Sequence, residues 1–139
     1  MPAHIVDTTG LSADERAVLA VAEAFLRGIG ARDPELMRAQ ILPDGGATLL
    51  RDGTPIYTTL AGVIARIPFD HPKEISEVIS AQPTILVDRN IAMAWTPYEF
   101  YIDGKMTHSG TDIWSFAKQD GRWLVSGVAD NAHKPSGCQ

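Results

Sequence analysis

The sequence predicts an α+β domain in which three N-terminal helices pack against a curled, cone-shaped antiparallel sheet. Helical spacing of apolar residues dominates up to Pro68, whereas from Glu74 onward β-branched and aromatic residues dominate and turn residues arrive about every ten positions. Aspartate followed by glycine, at 103–104 and at 120–121, lies between apolar runs and is the strongest short-range hairpin pattern. Helices followed by a long meander require the curled sheet to cover its concave face with the helices, which leaves a cavity at the open end.

The first helix is predicted to begin after Ser12. Ser12 and Glu15 form a capping box, in which each side chain can bond the backbone N–H of the other residue. Apolar residues then recur at three- and four-residue steps from Val18 to Ile29, as a single buried stripe requires. Gly30 supplies an end to this helix.

A second, short helix is predicted to follow at once. Asp33 is a suitable cap, and Pro34 occupies the first helical position, where its missing N–H costs nothing. We expect this helix to run to about Ile41, because Pro43 cannot continue it.

Two short extended segments and a third helix complete the first half. A strand is predicted at 47–51, and after a turn a further extended segment is expected at 56–57. Thr58 or Thr59 can then cap a third helix, whose apolar residues run to Ile67.

The second half is predicted to be a meander of four strands. Their expected ranges are 75–87, 91–102, 106–118 and 122–130. Pro83 falls inside the first of them and cannot donate to a ladder, so it marks an edge or a bulge that would help the sheet to curl.

Length and charge limit the number of domains and the class of partner. The chain has 139 residues, which predicts one domain over 1–139, with flexible tails at 1–10 and 132–139. Its 12 basic and 17 acidic residues give a net charge of −5, so no positive field attracts phosphate backbones or anionic lipid. We therefore expect no nucleic-acid or membrane partner and, without a targeting or membrane-spanning pattern, a cytoplasmic location.

Cysteine and histidine usage gives no indication of a metal site. The single cysteine, Cys138, is next to the last residue, so it can form neither an internal disulfide nor a multi-cysteine metal site. The four histidines lack metal-ligand spacing. We expect no metal and no cofactor.

Several motifs of the second half share the spacing of one known family. They are Trp95-Thr96-Pro97-Tyr98-Glu99-Phe100, Asp103-Gly104-Lys105, His108-Ser109-Gly110, Gly121-Arg122-Trp123 and Asp130. With the order of the elements, they resemble the nuclear transport factor 2-like superfamily over nearly the whole chain, and within it the polyketide-cyclase-like, lumazine-binding-like or scytalone-dehydratase-like branch. That branch commonly has a cysteine where this chain has Ser109, so a thiol role is excluded there.

The resemblance implies a homodimer formed through the outer face of the sheet. It leaves the activity open, because the superfamily includes dehydratases, isomerases, cyclases, hydrolases and members without chemistry.

His108 and Asp112 are the leading catalytic candidates. Residues two apart in a strand share a face, and this face of the third long strand also has Trp114 and Phe116, which favours the interior. A histidine and an aspartate among apolar rings suit proton transfer on a hydrophobic substrate. The alternative is that the two only satisfy each other or the backbone. His71, in the loop between helix and sheet, is a third candidate as a gate residue or second acid/base, or else a solvated loop histidine.

Seven residues are candidates for substrate binding: Tyr57, Trp95, Tyr98, Glu99, Tyr101, Trp114 and Phe116. Strand alternation places Trp95, Glu99 and Tyr101 on one face and Tyr98 on the other, so they cannot all line one pocket. For most of these rings the alternative is a place in the core or in a dimer interface.

The sequence favours a cofactor-independent enzyme of secondary metabolism that isomerises, cyclises or dehydrates a small, largely apolar organic molecule. The first alternative is a non-catalytic module for ligand binding or dimerisation. A nucleocytoplasmic transport adaptor is a third possibility, and nothing in the sequence favours it.

Overall fold

The computed structural model describes residues 6–135 of the chain. This part contains three helices and seven strands, joined by turns and loops. The helices are α1 (Ala13–Gly30), α2 (Pro34–Arg38) and α3 (Leu60–Ala65). The strands are β1 (Ile41–Arg51), β2 (Thr54–Thr59), β3 (Ile75–Ile79), β4 (Thr84–Asp88), β5 (Ile91–Ile102), β6 (Lys105–Gln119) and β7 (Arg122–Asp130).

The start of α1 confirms the predicted capping box. The Glu15 N–H donates to Ser12 Oγ at 3.1 Å, and the Ser12 N–H donates to Glu15 Oε1 at 2.6 Å. The apolar stripe of α1 is buried against the concave face of the sheet, where the Phe25 ring meets Trp114 edge-on at 5.6 Å. This contact anchors the helix over the centre of β6.

The ends of the second and third helices differ from the prediction. Helix α2 ends at Arg38 rather than Ile41, and β1 begins at Ile41 instead of at position 47. Pro43 is therefore in a strand, which is possible because the β1 pairing is irregular between Ile41 and Gly46 and a bulge needs no ladder donor. Helix α3 ends at Ala65, two residues before the predicted end.

One seven-stranded sheet has the order β2-β1-β7-β6-β5-β3, with β4 also paired to β5. All pairs are antiparallel except β1 with β7, which run parallel. The predicted α+β cone is confirmed, and its curled sheet is mixed rather than purely antiparallel.

The predicted strand at 75–87 is two strands, β3 and β4. Both pair with β5, with Ile79 opposite Tyr98 and Thr84 opposite Trp95, so the segment that contains Pro83 has two more residues than the part of β5 it faces. The aspartates of both predicted Asp-Gly hairpins, Asp103 and Asp120, have positive φ, as such turns require.

The ends of the described chain contact the sheet and its loops. The side chain of Gln82 bonds both backbone groups of Asp7, and the backbone of His133 pairs with that of Ser109. The predicted flexible tails fall partly on residues 1–5 and 136–139, which are outside the described part, as are His4 and Cys138. Within 6–135, no helix is long and apolar enough to cross a membrane.

Candidate functional site

The helices and the concave face of the sheet enclose a cavity of about 310 Å³, called here the cone cavity. Its helix side is apolar, with Phe25, Leu26 and Ile29 from α1 and Val63 and Ile67 from α3 and the following turn. Its sheet side contributes polar groups: Arg51, Glu77, Tyr98, His108, Asp112 and Asp130. An apolar molecule can thus lie on the helices while its reactive atoms face the sheet.

Cross-strand pairing explains why these polar groups meet. Asp112 on β6 lies opposite Asp130 on β7. His108 on β6 lies opposite Phe100 on β5, which lies opposite Glu77 on β3. Paired residues share a face of the sheet, so acids that are distant in sequence converge on one concave surface.

The carboxyl groups of Glu77 and Asp112 share a hydrogen bond. Burial, followed by the charge of Glu77, raises the pKa of Asp112 well above its ordinary range. Burial raises the pKa of Glu77 to about 7, although the hydrogen bond with Asp112 lowers it. When one of these carboxyls is protonated it can donate to the other, and the two residues are called here the acid pair.

One oxygen of Asp112 is buried and accepts no bond from an N–H or hydroxyl group. Asp112 is 5% exposed, and no such donor among the described residues bonds its Oδ2. Most buried polar side-chain atoms have a partner, and leaving one without costs about 1–3 kcal/mol. Because Asp112 lines the cone cavity, a polar group of a bound ligand could supply that partner.

Arg51 and Asp130 form a second charged pair beside the acids. Two guanidinium nitrogens of Arg51 meet the two carboxylate oxygens of Asp130, at 2.8 and 3.3 Å. This hydrogen bonding raises the pKa of Arg51. Arg51 and Asp130 together carry no net charge. Arg51 therefore offsets only a small part of the cost of burying a negative charge on the acid pair.

His108 is held between aromatic rings. It stacks on Phe100 with centroids 4.9 Å apart and meets Tyr98 edge-on at 5.9 Å. Burial, and then the charge of Arg51, lowers the pKa of His108, so the ring is neutral at pH 7. Its Nδ1 lies 2.9 Å from Thr107 Oγ1, which donates to the Phe100 carbonyl at 3.4 Å. Whether Nδ1 donates to or accepts from this hydroxyl depends on the tautomer of the ring.

Tyr98 is committed to the protein rather than to a ligand. Its hydroxyl donates to the Asn131 backbone carbonyl at 2.7 Å. Burial, and then the charge of Glu77, raises the pKa of Tyr98, so its hydroxyl stays protonated. Its ring can therefore shape the cavity, while its proton remains on the bond to Asn131.

Gly110 leaves room for that bond, and Gly110→Ala is expected to destabilise the fold. An added Cβ at Gly110 would collide with the Asn131 carbonyl oxygen that accepts from Tyr98. We expect a loss of about 1–3 kcal/mol of unfolding free energy, measured by urea denaturation. Gly46→Ala is the matched control, because an added Cβ there meets open space in another strand. Equal stability of the two variants would contradict this account.

Two of the seven predicted binding residues, Tyr98 and Trp114, line the cone cavity, as do the catalytic candidates His108 and Asp112. Phe116 lies in the core, stacked on Trp114 with centroids 6.0 Å apart, and does not reach the cavity. The functional roles of these residues remain predictions.

The other candidates lie outside the cone cavity, which corrects their expected placement. Tyr57 is 77% and Trp95 47% exposed, because pairing places both in one row with Ile113 on the convex face. Glu99 accepts a hydrogen bond from the Tyr101 hydroxyl at 2.8 Å, away from the cone cavity. His71 stays in its loop, where Nδ1 accepts from the Lys73 N–H at 3.0 Å.

A larger, open groove of about 710 Å³ lies between α1 and β3, with Tyr101 on its border. Glu77 borders both the groove and the cone cavity, whereas Asp112 and His108 border only the cone cavity. We place the candidate site in the cone cavity because it contains both members of the acid pair, half-buried Glu77 and buried Asp112. Within 6–135, no group of three His, Cys, Asp or Glu side chains is arranged to hold a metal ion.

No protein-family model matches the sequence. No curated protein matches it either. Solved structures do match the fold. A nuclear transport factor 2-like protein of unknown function from Pseudomonas putida superposes with a TM-score of 0.74 and 16% identity, covering 94% of each chain. A nuclear transport factor 2-like protein from Cytophaga hutchinsonii gives 0.72 at 14% identity, covering 88% of this chain and all of its own. A third, of unknown function, from Shewanella baltica gives 0.68 at 16%, covering 91% and 99%.

Proposed function

We propose, on the premise that the chain has the nuclear transport factor 2-like fold, that it is a cofactor-independent enzyme which moves a proton within a small, largely apolar molecule. The reaction would be an isomerisation, cyclisation or dehydration. One observation carries this proposal: the acid pair of Glu77 and Asp112 lines a cavity that has an apolar side and room for a ligand.

Glu77 is the proposed base. A base works best when its pKa lies near the working pH, and the pKa of Glu77 is raised to about 7. Its carboxylate would take a proton from the substrate carbon between a carbonyl group and a carbon–carbon double bond, and the C–H electron pair would be delocalised onto the carbonyl oxygen to give a dienolate. Protonated Glu77 would then return the proton to the far carbon of the original double bond, so that the double bond moves into conjugation with the carbonyl group and Glu77 is a carboxylate again.

Asp112 and His108 have supporting roles in this scheme. Asp112 stays protonated, and its hydrogen bond to Glu77 keeps the base from becoming fully protonated at neutral pH. Neutral His108 can accept a second proton, for instance from a substrate hydroxyl during cyclisation or dehydration. Tyr98 is not a proton donor in this scheme because its hydroxyl bonds Asn131.

The test uses an activated proton donor of suitable size, 5-nitrobenzisoxazole. Loss of its ring C–H proton to a base breaks the N–O bond and releases a coloured cyanophenolate, so the proton transfer is read directly by absorbance. We expect a saturable rate that requires the folded chain and depends on the acid pair. A rate equal to that of free carboxylate buffer would overturn the proposed enzyme activity and favour a module that only binds ligands.

We further propose a homodimer formed through the convex face. Four exposed apolar side chains there form one patch across β4, β5 and β6: Leu86, Ile91, Trp95 and Ile113, which are 61%, 58%, 47% and 41% exposed. A contiguous exposed apolar patch of this kind favours association.

Ile113→Lys is expected to convert that dimer to a monomer, because it places a charge in the patch directly beside Trp95. Light scattering at micromolar concentration should give twice the 15.0 kDa mass of one chain for the unmodified protein and one chain mass for the variant. Ala61→Lys, on the exposed side of α3, is the control and should stay dimeric. An unmodified protein of one chain mass would refute the dimer.

A further inference from the structure

Among the described residues that line the cone cavity, one cation, Arg66, is unpaired. Arg66 follows α3, is exposed and lines the cavity beside Val63 and Ile67. Among residues 6–135, no ion pair or hydrogen bond occupies its guanidinium group. Arginine remains charged at any physiological pH, and its planar fork matches a carboxylate.

The other charges of the cavity are already paired. Arg51 is bonded by both carboxylate oxygens of Asp130, and Glu77 shares a hydrogen bond with Asp112. An anionic group at this inner end would face three acids and find no free cation. The same group at Arg66 would find a cation that no side chain neutralises, so electrostatics favours only one orientation for an anionic ligand.

The cavity volume limits the size of that ligand. At about 310 Å³ it is at the lower limit of ligand pockets. It suits a molecule of roughly ten to fifteen non-hydrogen atoms rather than a multi-ring compound. Phe25, Leu26 and Ile29 are part of the apolar wall of the same cavity.

We propose that the substrate class is small carboxylic acids with an apolar body, bound with the carboxylate at Arg66 and the apolar body extending inward to the acid pair. This inference rests on the proposed function, because it assumes that the cone cavity is the ligand site. Arg66 is a specificity residue here: it forms a charge-assisted, two-point bond with the substrate carboxylate and takes no part in the proton transfer.

The experiment compares acids with their neutral amides. Cinnamate, phenylacetate and octanoate, each with its amide, are titrated into the full chain, and dissociation constants are measured by calorimetry or ligand-observed NMR. We expect at least one acid to bind about tenfold tighter than its amide, equivalent to roughly 1.4 kcal/mol. Added salt should weaken this preference because Arg66 is exposed.

Arg66→Gln should abolish the preference, leaving acid and amide within about twofold of each other. Arg38→Gln is the matched control, because it removes the same charge from the end of α2, outside the cavity, and should leave the preference intact. Three outcomes would each overturn the inference. The unmodified chain could bind acids and amides equally, the preference could survive Arg66→Gln, or no acid could bind at millimolar concentration. Arg66-dependent binding without any proton abstraction from 5-nitrobenzisoxazole would instead retain the ligand class and reject the proposed enzyme activity.

Discussion

Glu77→Gln is expected to lower kcat/KM for proton abstraction from 5-nitrobenzisoxazole by about a hundredfold or more, the usual contribution of a positioned general base. Glutamine has nearly the same shape and can still hydrogen bond to Asp112, but it cannot accept the substrate proton. The fold should therefore survive while the chemistry is lost. Glu74→Gln is the matched control, because Glu74 is an exposed carboxylate three residues earlier that does not line the cone cavity.

The pH dependence identifies the base. For the unmodified chain we expect kcat/KM to rise with pH and to level off above an inflection near 7, where Glu77 loses its proton. His108 and Asp130 are other possible bases in the cavity, and burial lowers the pKa of His108 below the ordinary histidine value. If Glu77→Gln keeps the full rate with an inflection below about 6.5, the ordinary histidine value, one of these two groups is the base and the role given to Glu77 is wrong.

Local sequence patterns predicted the elements that local interactions determine. The capping box at Ser12 and the Asp-Gly turns involve residues within four positions of one another, so they are readable from the chain. The predicted end of α2 was wrong because Pro43 was interpreted as the residue that stops the helix. The structure places it in an irregular part of β1, where parallel pairing with β7 determines the conformation. That pairing joins segments about eighty residues apart and has no local sequence pattern.

The candidate site divides in the same way. Alternation within β6 correctly placed Asp112 and His108 on the wall of the cone cavity, because period-two patterning follows directly from strand geometry. Glu77 was missed although a pattern was present: it alternates with Ile75 and Ile79, both buried, and so shares their face. Arg51 could not be assigned, since it reaches Asp130 only through the parallel pairing of β1 with β7.

Aromatic residues were over-assigned to the pocket. Trp95 and Tyr57 are large rings in strands, which favoured binding roles, but neither ring alone reveals which face of the sheet it occupies. Pairing places both on the convex side. There, Trp95 belongs to the patch proposed for dimerisation. Its exposure therefore favours the alternative considered for it, a place in a dimer interface, over a place in the pocket.

Asp112→Asn is expected to make the chain more stable than the unmodified protein at alkaline pH. The pKa of Asp112 is raised in the folded state, so unfolding lets this carboxyl release its proton. Its contribution to stability is complete below the unfolded pKa of about 4 and is lost as pH rises toward the raised folded value. The loss reaches roughly 1.4 kcal/mol for each pH unit in that interval.

Asparagine at 112 keeps the shape of the side chain and can donate to Glu77, but it has no proton to lose. The unfolding free energies of the two proteins, measured in urea at pH 5 and pH 9, should therefore diverge, with the variant gaining stability relative to the unmodified chain as the pH rises. Subtracting the unfolding free energy of one protein from that of the other at each pH cancels the contribution of every titrating group that the substitution leaves unchanged. Asp88→Asn removes an exposed carboxyl and should show no such divergence. Parallel pH profiles for Asp112→Asn and the unmodified chain would show that Asp112 is ionised in the folded state, and the acid pair would then lack the protonated partner on which the proposed mechanism depends.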